Sequence, residues 1–580
     1  MPDKTSDEEK AKHCRDALGE LARIRQPYEA MIDNIFTYVY HGRRKIVDNR
    51  HMRGNKTGAE VYDGTALQSM NLSSDGLAGY TISKSFRWYN YTLPGKFNFP
   101  RTSGMRAWTG KRMDEYPDVK NWLESAEEVM YAAFLRSNLY DVASDIVRDA
   151  MGPGTVSVII EENIAEGRLV FTVPHFREMY IAENADGKVD TRYRVYDLSL
   201  RQMEQKFGLE KCEKAIPEFK SKLEKNPYEQ QEIIHATYPR RDIEFGRLDA
   251  KNKGIASMWL LKDKRTSILL ESGFDDDPGF TWRWRKNSDE WYGRSWAWDS
   301  YIDIMTANQA GRSNIKAGQK MTDPPMVGPK ALRGKINREA RGWTWMDGGI
   351  TKDNVPRPLL DGLQLPYSIE MQERFDRKIR ENFHVDFFLM LTTQAARGGP
   401  ELKVVQILEM QAEKAAILGP RIGHMESEAM NPLHDRCFAI EQRAGRIPPP
   451  PDILLEYAGS ALEVDYVGPM AQAQKKLFRA QGIISGLDAA SIMFDLFPES
   501  KDVIKVDETT KDIMEAHGFP SKDIRDDDDV AEIRRIRQEQ EQEDEAKAMM
   551  LEGAKAIPAA GTAPDEGSPL GELMGVGGEA

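Results

Sequence analysis

The sequence predicts a mixed α+β fold, and three observations predict it. Apolar residues recur at three- and four-residue intervals through 7–50, 293–321 and 367–390, the signature of one-sided helices. Between 152 and 286 the pattern changes to short β-branched and aromatic runs divided by turn dipeptides. Gly- and Pro-rich breaks at 322–366, 398–400 and 448–451 then separate the helical stretches from one another.

Taken in order, 7–50 reads as a helix because Leu18, Leu21, Ile24, Tyr28, Met31, Ile32 and Ile35 share a face. DGTALQSMNLSSDGLAGYTI (63–82) reads as a second helix, with Asp63 or Thr65 as its cap. WYNYTLPGKFNFP (88–100) is aromatic and broken, so strand and loop; Pro117–Ser137 and Leu139–Met151 are two further helices. GPGTVSVIIEEN and GRLVFTVP (152–174) make a hairpin, and 178–198 repeats the pattern around Asp186-Gly187. SLRQMEQKFG (199–208) is a short helix ending on glycine, and strands return between 232 and 286.

The stretch 293–321 has no internal proline and, as one helix, would reach about 40 Å. The segment 322–366 is a compact knot of loops and short strands such as GWTWM (342–346). Behind it, 367–390 places Met371, Phe375, Ile379, Phe383 and Phe387 at strict four-residue spacing. TTQAARGGPEL (392–402) is a glycine-bearing loop, and 401–445 is helical with kinks expected at Gly419-Pro420 and Asn431-Pro432. Residues 461–477 read as a strand leading into a helix. After Asp526–Asp529 comes a Glu/Gln/Arg-rich helix, then a Gly/Ala/Pro-rich tail.

At roughly 150 residues per domain, 580 residues would hold three to five domains. The net charge of −13 argues against a protein that coats DNA irrespective of sequence. Cys14, Cys212 and Cys437 never form a CxxC pair, which excludes a zinc ribbon and favours a reducing compartment. The polar N-terminus lacks a signal sequence's apolar core, and nothing approaches the roughly 20 apolar residues of a membrane span. A soluble intracellular product is therefore expected.

Catalytic signatures fail in turn. GMRAWTGKR (104–112) misplaces the second glycine of a phosphate loop and puts Arg112 where a magnesium-binding hydroxyl belongs. Asp275, Asp276 and Asp277, and likewise Asp526–Asp529, could be imagined as metal-binding carboxylates. Adjacent aspartates rarely converge on one ion, however, and a solvated acidic loop is the simpler reading. The nine histidines show no ligand spacing. Trp282, Trp284, Trp291, Trp296 and Trp298 alternate as residues of a core or a subunit contact do, although base stacking is another use for them. What stands out is layout: two long helices flanking a small knot suit a tube wall better than a pocket. Ala307, Ala310, Gly311 and Ala317 would permit close approach between neighbouring subunits; a helical hairpin inside one chain is the alternative that periodicity cannot separate.

Several segments, in order, carry a resemblance: DGTALQSMNLSSDGLAGYTISKSFRWY (63–89), NLYDVASDIVRDAMGPGTV (138–156), GKVDTRYRVYDLSLRQMEQKFG (187–208), YGRSWAWDSYIDIMTANQ (292–309) leading to DPP (323–325), LGPRIGHMESEAMNPLHDRCFAIEQRAGRIPPPP (418–451) and VDYVGPMAQAQ (464–474). In this succession the chain resembles the portal, or head-to-tail connecting, proteins of short-tailed bacteriophages. The resemblance implies a non-enzymatic virion component that works as a dodecameric ring at one capsid vertex. It divides the chain into a wing (1–292), stem helix 1 (293–321), a clip (322–366), stem helix 2 (367–390), a tunnel loop (391–402), a kinked wing helix and return strand (403–477), a crown (478–551) and a disordered tail (552–580). It also implies partners: double-stranded DNA in the channel, terminase, scaffolding and major capsid proteins, and a tail adaptor, with no cofactor, metal or membrane.

On these positions the resemblance makes Gln394, Ala395, Ala396, Arg397, Gly398 and Gly399 the tunnel loop that narrows the channel, and Trp343, Trp345 and Met346 a clip surface for partners. Arg374, Lys378, Arg380 and Arg397 could touch phosphates; solvation or i,i+4 pairing on the helix surface is the plainer alternative. Twelve chains of −13 would carry about −156, a field that repels DNA and suits a conduit that must not grip its cargo. A hydrolase or nuclease built on Asp275–Asp277, or a different virion structural protein, are the rival readings.

Overall fold

The computed structural model describes residues 7–41, 60–93, 117–323, 365–388, 418–452, 463–466 and 527–556, with short breaks inside 242–248 and at 263–267, and a few residues between these (45–46, 325–328, 330, 357–358, 454 and 510). The chain divides into two units, 1–474 and 475–580. In the second, the described helix is Asp527–Ala556, which starts within the aspartate run.

In the first unit, helix α1 (Asp7–Tyr38) serves two cores with one face. Its N-terminal half lays Cys14, Leu18 and Leu21 on a five-stranded antiparallel sheet, against Ile234, Ala236, Met258 and Leu260. That sheet comprises β4 (Met179–Glu183), β5 (Val189–Ser199), β6 (Gln230–Pro239), β7 (Ile255–Leu261) and β8 (Ile268–Phe274), in that spatial order. Successive strand residues point to opposite faces. Ile233, Trp259 and Leu261 therefore face away from α1, toward Leu200, Met203, Phe207 and Phe219 of three short helices, α5 (Leu200–Phe207), α6 (Leu209–Ala215) and α7 (Phe219–Lys225). Ser199 opens α5 with a full capping box, and Gly208, at φ +84°, closes it as expected from sequence. The turn at Asp186-Gly187 joins β4 to β5, with Gly187 at φ +76°.

The larger core gathers the C-terminal half of α1, α2 (Thr65–Thr81), α3 (Pro117–Arg136), α4 (Leu139–Met151) and a three-stranded sheet in the order β3-β2-β9, where β2 is Thr155–Asn163, β3 Arg168–Thr172 and β9 Gly279–Arg283. Trp282 and Trp284 are buried in it, the core role their alternation implied. Strand β1 (Tyr89–Thr92) pairs antiparallel with β12 (Glu463–Tyr466), 370 residues away or more, and its other edge is covered by side chains of α3. Tyr131 Oη accepts from Trp88 N (2.8 Å) and Tyr89 N (3.0 Å), and Glu127 accepts from Tyr91 N (2.6 Å). An exposed strand edge is thereby closed without another strand.

Two sequence expectations need correcting here. The first helix stops at Tyr38 rather than 50, because Val39 N and Tyr40 N both turn back onto Ile35 O (2.9 Å each) and the following His-Gly-Arg-Arg-Lys offers no apolar residue to bury. The helix expected from 293 starts only at Trp296: Arg294 still pairs with Arg285 as a β-bridge, and Ser295 Oγ caps a short helix α8 (Trp296–Asp299) that gives way at Ser300 to α9 (Tyr301–Thr322). Later, the kink expected at Asn431-Pro432 takes the form of a π-helical turn (Glu426–Met430) running into α12 (Asn431–Arg443), as suits a proline that cannot donate its helical hydrogen bond.

Around β1 an aromatic cluster (Trp88, Tyr89, Tyr91, Phe134) encloses His434 of α12, whose Nδ1 lies 3.3 Å from Tyr91 Oη. Complete burial pushes the His434 imidazole down to about 3. A depressed histidine stabilises the fold above its unfolded value near 6.5 and loses that contribution as pH falls toward 3. Denaturant titrations should show about 2–3 kcal/mol lost between pH 6.5 and 4.5 through this group. His434→Gln should flatten that slope; equal slopes in the two proteins would assign the acid lability elsewhere.

Candidate functional site

The helical hairpin that brackets 322–366 is built from α9 and α10 (Leu365–Asn382), with a two-residue ladder, β10 (Met326–Val327) against β11 (Arg357–Pro358), beyond it. At 1.5 Å per residue the 22 residues of α9 reach about 33 Å, shorter than a continuous helix from 293 would be. The two helices run antiparallel. Lys378 Nζ meets Asp303 Oδ1 at 2.7 Å, and Asn314 Nδ2 donates to Gln372 Oε1 at 2.7 Å.

The inner face of α9 is Ile304, Ala307, Asn308 and Gly311, all buried. Asn308 is its one polar member and clamps the 60–62 segment: it accepts from Tyr62 N (2.6 Å) and donates to Glu60 O (3.1 Å). A side chain at 311 would place its Cβ 3.1 Å from Tyr62 O, so glycine is what lets this segment lie on the helix. Ala307 and Gly311, offered by the sequence for contact between subunits, are thus occupied inside the chain, and the intramolecular hairpin is the correct reading for these two positions.

On α10 the four-residue row drifts. Each step of four overshoots a turn by about 40°, so Ile379 and Phe383 are fully buried, Phe375 is half-buried, and Met371 is 45% exposed. The helix also breaks earlier than the expected end at 390. His384 takes φ +52°, a left-handed conformation, and a short helix α11 (Val385–Phe388) continues in a new direction. Ser73 Oγ of α2 donates to Phe383 O (2.6 Å), and His384 packs at a tilt against Trp296 with ring centroids 4.8 Å apart. Phe388 lies against Gly76 of α2, where any Cβ would come within 2.4 Å of its ring.

The root of α9 is equally constrained. Gly154, at φ +93°, approaches Gly293 so closely that a Cβ would sit 2.4 Å from its carbonyl oxygen. Thr155 Oγ1 accepts from Gly293 N (2.8 Å), Ser295 Oγ donates to Gly152 O (2.6 Å), and Trp298 Nε1 donates to Pro153 O (3.2 Å). Beside it, Arg283 is fully buried and held by Glu183, by Glu428 of the π-turn and by Gly187 O (2.9 Å). Sequence reasoning missed Asn308, Gly76 and Arg283. A glycine inside a helix and one polar residue on an apolar face were the available signals for the first two.

Of the candidate phosphate contacts, Arg374 and Arg380 are exposed on α10, while Lys378 is engaged with Asp303. Arg397, the rest of Gln394–Gly399, and Trp343, Trp345 and Met346 lie outside the described residues. The three aspartates of the hydrolase alternative diverge: Asp275 pairs with Lys253, Asp276 with Arg443 and Asp277 with Arg192. Among the described residues no three His, Cys, Asp or Glu side chains gather as a metal site, and nothing supports that alternative. No helix among them is long and apolar enough to cross a membrane.

The family described as bacteriophage head to tail connecting protein matches residues 11–525. The chain belongs to that family. Its connector relatives include the portal protein of Salmonella phage epsilon15, 27% identical over 553 residues covering 93% of this chain and 94% of that protein. The probable portal protein of Bordetella phage BPP-1 is 24% identical, with 92% of each chain covered. In this connector chain, then, the resemblance read from ordered segments holds along nearly the whole sequence, and the α9–α10 hairpin lies inside the matched region.

Removing Asn308 takes away two hydrogen bonds made by a buried side chain, whereas Lys378 is a solvent-facing pair. Asn308→Ala should therefore cost about 1–3 kcal/mol in chemical unfolding, and Lys378→Ala less than about 1 kcal/mol. The reverse order would mean that the ion pair, not the clamp, holds the hairpin.

Proposed function

We propose that the chain is a portal protein: twelve copies close into a ring at one capsid vertex, and the ring's bore passes the genome in during packaging and out during ejection. The observation that carries this reading is the near full-length likeness to a phage portal protein. The hairpin supports it. Beyond the side chains that bury it within the chain, it displays Ile302 (77% exposed), Ile315, Met321, Ile369 and Met371, together with Met326 and Val327 beyond its helices. So many apolar side chains on one projecting element favour a protein partner, and the hairpins of neighbouring copies are that partner in a ring.

In this reading 1–292 and 403–477 form the wing, 293–321 and 367–390 the stem, and 478–551 the crown. The clip (322–366), with Trp343, Trp345 and Met346, docks terminase and later the tail adaptor. The tunnel loop, Gln394–Gly399 within 391–402, narrows the bore, and Arg374, Arg380 and Arg397 brush passing phosphates. The ring also nucleates procapsid assembly with scaffolding and major capsid proteins. Its net acidity, −13 per chain, keeps transit from becoming binding.

Electron microscopy and native mass spectrometry of the purified chain test the ring. Particles with a central hole and a mass near twelve subunits are expected. Ile302→Glu with Met371→Glu should leave the monomer folded and abolish those particles. A chain that stays monomeric at high concentration, alone and with its capsid partners, would sink the proposal. Deleting 394–400 should leave rings intact and impair packaging or DNA retention; normal packaging would refute the loop assignment.

A further inference from the structure

We propose that Asp63 and Asp376 share one proton across the seam where α10 lies against the start of α2, and that this proton fastens the hairpin to the helical core. Asp63 precedes α2, and its Oδ1 accepts from Thr65 N (3.1 Å) and from the Thr65 hydroxyl (2.8 Å). Its other oxygen, Oδ2, is shielded from solvent and has no hydrogen-bond partner; the same is true of Oδ1 of Asp376. The Asp376 carboxyl also interacts with the Thr65 hydroxyl and feels the Asp63 charge, so both acids neighbour the same side chain. A hydroxyl carries one proton, and Thr65 gives it to Asp63.

With both acids ionised, two shielded oxygens are left unpaired and two like charges adjoin. One proton taken from solvent resolves both faults, because a neutral Asp376 carboxyl can donate its O–H to Asp63 Oδ2. The proton belongs on Asp376, since Asp63 Oδ1 already accepts both the amide and the hydroxyl of Thr65, the first residue of α2. The remaining neighbours do not reverse this. On α10, Arg380 favours the ionised form of Asp376 and Glu373 opposes it; on α9, Asp303 is taken up by Lys378, and Arg312 lies 5.7 Å over the Tyr62 ring. Burial first, and then the Asp63 charge, push the Asp376 carboxyl up to about 6.

A carboxyl raised on folding strengthens the folded contact at low pH and loses that contribution as pH rises through about 6. The seam is therefore tight in mild acid and loosened at neutral pH. It does not depend on the ring, because every contact invoked is within one chain.

Hydrogen exchange of the full chain, corrected for intrinsic rates, reads this directly. Amides of α10 should lose about tenfold protection between pH 5 and pH 7.5. Asp376→Asn, whose amide supplies the missing donor permanently, should hold the same protection at both values. Asp63→Asn, which offers a donor from the other side, should also abolish the pH dependence and serves if the first variant does not fold. Wild-type protection unchanged between the two pH values, or the same loss in the variants, would overturn the proposal.

Discussion

Burying the guanidinium of Arg283 forces three distant stretches of chain to converge. A charge removed from water must be paired and fully hydrogen-bonded, or the fold does not form around it. Here the partners are Glu183 at the end of β4, the carbonyl of Gly187 in the following turn, and Glu428 in the π-turn before α12. Lys286 adds a second cation to Glu183 at 2.7 Å. The five-stranded sheet, the three-stranded sheet and the kinked helix are thereby held to one another by a contact that tolerates little displacement.

That junction lies directly beside the place where the hairpin leaves the body. Arg283 ends β9, and ten residues later Gly293 presses against Gly154 at the head of β2. A rigid root and an outward-facing hairpin are complementary requirements. Apolar side chains can be displayed outward only if the inward face is already satisfied, which Ile304, Ala307, Asn308, Gly311, Ile379 and Phe383 accomplish. At the other end of the hairpin, His384 in a left-handed conformation redirects the chain, and α2 receives it through Ser73 and Gly76.

Much of this was legible in the residues. Alternation marked the strands of 155–283, Asp186-Gly187 and Gly208 marked where they turn or stop, and Pro432 marked the kinked helix. The errors in the two hairpin helices had one origin. Periodicity registers apolar spacing but not the competing claims on a terminus: Ser295 and Arg294 were already committed to the β2–β9 neighbourhood, and the row from Met371 to Phe387 ignored the drift of a real helix.

By itself the sequence determined the class of fold, the order of its elements and, through ordered segments spread over the chain, the family to which it belongs. Those properties follow from local preference and from patterns that survive in linear order. Only the tertiary structure decided which small residues of α9 are used up within the chain, which aspartates have their own cations, and that the charge of Asp63 acts on Asp376 from more than three hundred residues away. Such facts depend on long-range packing, where a residue's charge, exposure and freedom are set by neighbours that no local window contains.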